Sequence, residues 1–185
     1  LVDEVAASLG EMELLQAEGG DPGTAAGADE LAATDLGATV SRQYVRPETG
    51  AHLLAAIRTI ESMSAEHITP LTALGAVCET PDMRGTYLGN RERAAIYRYA
   101  SRHAAEFTTS PEDAADFESW LCAVKLARIL TERIDGATAE ELVERYRIGP
   151  GDIESHVERA AWLLGAADAL AATLGSAVSV FDRIR

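Results

Sequence analysis

Lysine is almost absent from this chain: Lys125 stands alone beside 15 arginines and 30 acidic residues, and the formal charge is −14. Cysteine is nearly as scarce. Cys78 and Cys122 sit apart in apolar surroundings, which excludes a disulfide framework and any cysteine metal spacing, and reads as two reduced core thiols of a cytoplasmic protein. The four histidines, His52, His67, His103 and His156, never pair at i, i+4 and form no H-E-x-x-H, so zinc hydrolysis lacks its ligands. No G-x-x-x-x-G-K-[ST] loop and no acidic box for magnesium occur, no serine lies in G-x-S-x-G, and Cys122 has no histidine near it in sequence. These absences predict a segment that is inactive as an enzyme by itself, with no cofactor and no metal of its own. A membrane span is also excluded. The one apolar run, Ala160 to Phe181, is rich in alanine and glycine, and Leu163, Ala167, Leu170 and Leu174 recur at helical spacing, as in an amphipathic helix. No signal peptide is present, and a first residue of Leu suggests a piece cut from a longer protein.

What charge there is falls unevenly. Residues 1–41 carry −9, residues 42–102 carry +2 and residues 103–185 carry −7. A slightly basic middle inside so acidic a chain points to an anionic partner. Within it Arg84, Arg91, Arg93, Arg98 and Arg102 face only Glu92, interleaved with Tyr97 and Tyr99. A plain solvated helix face is the alternative.

Periodicity predicts helix nearly throughout. Residues 2–15 read as helical, and residues 18–28, EGGDPGTAAGA, break the pattern with the composition of a flexible loop such as a β-hairpin wing. Leu31 to Ala33 reads as a short strand beyond it. Thr34 and Asp35 suit the start of a short helix, and Pro47 opens a longer one to about Met63. A short apolar helix follows Thr69, an arginine-bearing one covers Asn90 to Phe107, and Thr138 with Glu141 forms a capping box. Arg147 to Asp152, RIGPGD, forces a tight turn before a long helix through Leu174, and a short one holds Val178 to Ile184. The expected fold is therefore mainly α: residues 1–63 as the C-terminal part of a winged-helix domain with a wing at 18–28, then a helical bundle over residues 64–185.

One stretch organises the bundle. Phe117 to Asp135, FESWLCAVKLARILTERID, follows Ser110 and Pro111, which suit a helix start, and is stopped by Gly136. At about 100° per residue, Phe117, Trp120, Val124, Ala127, Leu130 and Ile134 share one face, and Cys122, Leu126 and Ile129 form a second apolar strip. Between them runs a polar line of Glu118, Lys125, Arg128 and Glu132, with Arg133 at its margin. That pattern fits either a central bundle helix with a solvated edge or a rod that shows a few cations to a passing ligand.

Four stretches together resemble the archaeal superfamily-2 DNA repair helicases of the Ski-like group (HelQ-like). They are Ala33 to Pro47, with Gly37, Ser41, Tyr44 and Pro47; Leu74 to Met83; the helix just described; and Tyr146 to Leu164, with Gly149, Pro150, Gly151, Asp152 and Trp162. The composition likewise resembles that of a salt-loving archaeon. The resemblance implies that residues from about 64 onward are the helical ratchet domain, whose long helix lies across the channel for single-stranded or forked DNA. It implies a monomer whose motor domains, needing ATP and magnesium, lie outside this segment. Lys125 and Arg128 would then hold phosphates, and Arg133 would stack on a base or reach a phosphate where the family pattern carries a tryptophan. Arg91 and Arg98 complete the expected DNA-binding set. The competing expectation is a non-enzymatic helical module that docks replication or repair partners.

Overall fold

The structure, a computed structural model, describes residues 2–18, 31–83 and 86–184. The expected wing falls almost wholly outside the described residues, as does Arg84. The elements run α1 (Val2–Glu11), β1 (Leu15–Ala17), β2 (Leu31–Ala33), α2 (Asp35–Arg42), α3 (Pro47–Ser62), α4 (Pro70–Cys78), α5 (Asn90–Arg102), α6 (Phe117–Ile134), α7 (Ala139–Tyr146), α8 (Pro150–Leu174) and α9 (Val180–Arg183). The fold is mainly α, as the periodicity predicts. Its one sheet among the described residues is the antiparallel ribbon of β1 and β2, with Leu15 opposite Ala33 and Ala17 opposite Leu31.

The N-terminal helix ends earlier than its apolar spacing predicts. Glu13 turns into the left-handed region at φ 61°, and the chain leaves as β1. Pairing with β2 overrides a helical pattern too short to hold itself. Thr34 then fixes the next helix twice, accepting from the Gly37 N–H at 3.0 Å as an N-cap and donating to the Glu13 carbonyl at 2.6 Å. Gly37 is required by contact: a Cβ there would lie 2.0 Å from the Leu14 carbonyl oxygen.

The 25-residue α8 packs against α2, α3, α4, α7 and α9, and α4 packs chiefly on α6. Leu53, Ile57, Leu74, Leu126, Leu163 and Phe181 lie in one buried cluster with the rest of this core, and Ile129, Leu142, Tyr146 and Ile153 form a second beneath α7. Residues before and after position 64 thus share one apolar core. Polar ties reinforce it. Asp82 accepts from Arg46 at 2.9 Å and Thr49 at 2.5 Å while its carbonyl accepts from Arg159, and Trp162 donates to the Gln43 carbonyl at 3.0 Å.

The helix at the centre, α6, starts at Asp116, whose carboxylate accepts from the Glu118 N–H. Ser110 caps only a turn with Asp113, one step upstream of the helix itself. The middle of both apolar strips is buried, with Trp120 at 4% exposure and Leu121, Val124, Leu126 and Ala127 at 1% or less, while Phe117 at the start of the helix is exposed and Cys122 half-buried. Ile134 at the open end of the helix is half exposed.

Candidate nucleic-acid interface

The polar line of α6 is solvated at Glu118 but not at its middle. Lys125 is only 4% exposed. Its Nζ lies 3.0 Å from the Glu92 carboxylate, donates to the Tyr87 carbonyl at 2.9 Å and lies 3.5 Å from the Tyr146 carbonyl. The start of α5 produces this enclosure. Glu92 sits at the third helical position of α5 and accepts from the Gly89 N–H at 3.0 Å, as in a capping box, with the same oxygen that meets Lys125. One carboxylate therefore fixes the helix start and neutralises the chain's only lysine. Lys125 is a structural cation with its donors spent, and it is withdrawn from the expected phosphate-holding role.

Arg128 is largely committed as well. Its guanidinium lies 4.9 Å from the Tyr99 ring centroid and 5.6 Å from that of Tyr146, and Nε donates to Glu132 at 3.0 Å. Such cation–aromatic contacts favour a guanidinium over an ammonium. Glu132 is a hub, accepting also from the Tyr146 hydroxyl at 2.5 Å and from Arg145. Burial works to raise its pKa, but the hydrogen bonds from Tyr146, Arg145 and Arg128 outweigh burial and hold the carboxyl below its usual range. Tyr99 is pushed up to about 12, chiefly by burial and against the pull of Arg128, so the aromatic side of this cluster stays neutral.

Arg133 is exposed, and its guanidinium donates only to the Ala137 carbonyl at 3.3 Å. Among the described residues no carboxylate engages it. On α5, Arg91, Arg98 and Arg102 recur at i, i+7 and i+11, which places them on one helical face, and all three are exposed. Arg98 and Arg102 donate weakly to backbone carbonyls of their own helix. Arg93 is different: it pairs with Glu118 of α6 and braces the two helices. Glu92, about 100° round the helix from Arg91, Arg98 and Arg102, is turned inward to Lys125, and the face of α5 that carries these arginines holds no acidic side chain.

A groove that the periodicity did not reveal opens beside it. Tyr87 and Arg91 line one wall, and Arg145, Arg147, His156 and Arg159 line the other. They come from three separated segments. The available sequence signal was the arginine beside the Gly-Pro-Gly turn, since Arg147 takes the left-handed conformation at φ 53° as the C-cap of α7.

A second, smaller cavity between α3, α4 and α6 holds His52, Glu79 and Thr86. Burial pushes the Glu79 carboxyl up to about 7, partly opposed by a hydrogen bond from Thr109. The nearby thiols offer no nucleophile: burial raises Cys78 strongly, and burial also raises Cys122 against the influence of Lys125. No three histidine, cysteine, aspartate or glutamate side chains converge as metal ligands among the described residues. No described helix is long and apolar enough to cross a membrane.

Fold and surface together define a helical bundle that presents arginines in a strongly acidic chain. The chain belongs to the family described as archaeal helicase, domain 4, whose model matches residues 71–184, from α4 to α9. It is 31% identical over 150 residues to the ATP-dependent DNA helicase Hel308 of Methanocella arvoryzae, an alignment covering 79% of this chain and 20% of that protein. It is 27% identical over 164 residues to the Hel308 helicase of Caldivirga maquilingensis, covering 85% of this chain and 21% of the relative. The Pyrococcus horikoshii protein of the same name is 30% identical over 148 residues, covering 79% of this chain and 20% of the relative. The chain thus spans about a fifth of the length of the relatives it matches.

Proposed function

We propose that this chain is the strand-guiding accessory region of an ATP-dependent DNA helicase. In this role α6 is the ratchet helix past which single-stranded or forked DNA is drawn, while motor domains of the same protein bind ATP and magnesium. Residues 1–63 are the C-terminal part of a winged-helix domain that supports it. The observation that carries the proposal is the selective freedom of the arginines. Lys125 and Arg128 are locked into the packing of α6, whereas Arg133 at its end and Arg91, Arg98 and Arg102 on α5 are exposed with no carboxylate partner among the described residues. In a chain of charge −14, unpaired cations left on adjoining helices are the feature expected of a surface for phosphates. A few separated guanidiniums also suit translocation, because each can grip and release a phosphate or stack on a base.

The lysine-poor, acidic composition suits the cytoplasm of a salt-loving archaeon. At about 1 M ions the screening length is about 3 Å, so long-range attraction contributes little and the strand must be enclosed by the motor and helical domains together. The test is Arg98→Ala with Arg133→Ala in the full-length protein. Unwinding of a forked duplex should fall while DNA-independent ATP hydrolysis and the thermal midpoint stay as in the wild type. Unchanged unwinding would instead favour a helical module that docks replication or repair partners.

A further inference from the structure

The groove between the start of α5 and the α7–α8 turn has features that, Arg91 apart, the strand-guiding role does not use. It collects five cations, Arg91, Lys125, Arg145, Arg147 and Arg159, against two carboxylates, Glu92 and Asp152. Two of the five are already neutralised: Lys125 is spent on Glu92, and Arg145 on Glu132 outside the groove. Arg159 donates to the Asp82 carbonyl at 3.2 Å and weakly to Ser155 at 3.4 Å, neither of them a charged acceptor. Arg91 and Arg147 have no ion pair among the described residues. The balance left facing the groove is three guanidiniums against the single carboxylate of Asp152.

Two further observations turn a cationic surface into a site. His156 is only 8% exposed and lines this groove, yet its Nδ1 has no hydrogen-bond partner. A buried ring nitrogen left unpaired costs free energy unless something meets it. Tyr87, also in the wall, is 80% exposed, and its ring makes no aromatic contact among the described residues. Guanidiniums match phosphate oxygens in geometry as well as charge, a neutral imidazole N–H supplies one more donor, and an exposed tyrosine ring stacks on any base.

We propose that this groove binds a nucleotide unit: Arg91, Arg147 and Arg159 hold its phosphate, the His156 Nδ1–H donates to a phosphate oxygen, and the Tyr87 ring stacks on its base. The phosphate belongs either to a free nucleoside monophosphate or to a single strand. The assignment deepens the nucleic-acid role proposed above and rests on it, but on a surface distinct from Arg133 and the C-terminal end of α6.

The experiment titrates the 185-residue chain with thymidine 5′-monophosphate and with a fluorescent oligothymidylate of 15 residues, at the lowest salt at which circular dichroism shows the fold intact. Arg147→Asn is the groove variant, since asparagine tolerates the left-handed conformation of this position. Arg98→Ala with Arg133→Ala is the comparison. Arg147→Asn should weaken both ligands by at least about tenfold, the scale of one charged hydrogen bond, with an unchanged thermal midpoint. The comparison variant should weaken the oligonucleotide alone. In the wild type, the Nδ1 resonance of His156 should shift on adding the monophosphate and stay still in Arg147→Asn. Oligonucleotide binding without monophosphate binding, still lost in Arg147→Asn, supports the groove with the strand as the source. Equal affinity for both ligands, lost in Arg147→Asn, supports it with a free nucleotide as the source. Wild-type affinities retained by Arg147→Asn overturn the groove assignment, and the strand-guiding role then stands or falls on the comparison variant alone. Absence of binding by either ligand at millimolar concentration overturns it too.

Discussion

Replacing Lys125 by methionine should damage the fold far more than it damages any direct contact with DNA. The substitution keeps an unbranched side chain of similar length while deleting the ammonium. It leaves Glu92 without its cation, and it leaves the Tyr87 and Tyr146 carbonyls without the donor they now have at 2.9 and 3.5 Å. Removing one member of a buried pair typically costs about 3–5 kcal/mol. Here the cost should fall at or just below the lower end of that range, because Glu92 is 29% exposed and water can reach it, and because its bond to the Gly89 N–H survives. A loss of about 2–3 kcal/mol is therefore expected, or a drop in thermal midpoint of roughly 2–4 °C for each of these kcal/mol in a domain of this size. The assay is urea unfolding followed by circular dichroism, run as a double-mutant cycle with Glu92→Gln. The double variant should recover part of the loss, since an unpaired buried charge is worse than none. A destabilisation of Lys125→Met below about 0.5 kcal/mol, the scale of a surface ion pair, would show that Lys125 is not held as described and would return it to the set of phosphate-binding candidates.

Two further perturbations probe the frame around the site. Glu79 has a folded pKa of about 7 against 4.5 for the free group, so the folded chain holds an extra proton between those values and stability should fall as pH rises through that window. At about 1.4 kcal/mol per unit the full cost above pH 8 is on the order of 3 kcal/mol. His52 acts in the opposite sense, because burial lowers its pKa against a hydrogen bond with the Ala76 backbone, and stability is lost as pH falls below 6.5. The difference between wild type and Glu79→Gln isolates the carboxyl: Gln should gain on Glu steadily from pH 5 to 8, and a difference independent of pH would contradict the burial of an ionisable Glu79. Gly37→Ala forces a Cβ toward the Leu14 carbonyl oxygen, 2.0 Å from its ideal position; a loss of about 1–3 kcal/mol is expected for such overpacking, read in the same urea assay, and wild-type stability would mean that the β1 turn yields freely.

The elements were legible where local chemistry alone decides them. Thr34, Pro47, Thr138 with Glu141, and the Gly-Pro-Gly turn each announce a helix boundary through a cap or a fixed φ, and α2, α3, α7 and α8 begin where those residues predict. β1 was not legible, because three residues of strand have no periodicity of their own and exist only by pairing with β2. Ser110 misled for the opposite reason: its hydroxyl does accept from the Asp113 N–H, but that turn stops before α6, which Asp116 caps.

The site was legible as a composition and not as an arrangement, and Lys125 shows why. A helical projection assigns a side chain to a direction, and Lys125 does point along the polar line with Glu118, Arg128 and Glu132. What covers that direction depends on a segment some 35 residues earlier, where the Tyr87 carbonyl and Glu92 close over the ammonium. The same closure turns the one acid of the arginine-rich segment inward, so a single contact both buries Lys125 and neutralises the Glu92 carboxylate beside Arg91 in the groove. The lysine therefore contributes to a cationic surface without touching a ligand: it neutralises Glu92 in the groove where a free carboxylate would oppose phosphate. This coupling implies that Lys125→Met, wherever it folds, should also weaken phosphate binding at Arg91, because the Glu92 carboxylate then stands unneutralised in the groove that both residues line. Glu92→Gln, which carries no charge to oppose phosphate, should leave binding at Arg91 at least as strong as in the wild type.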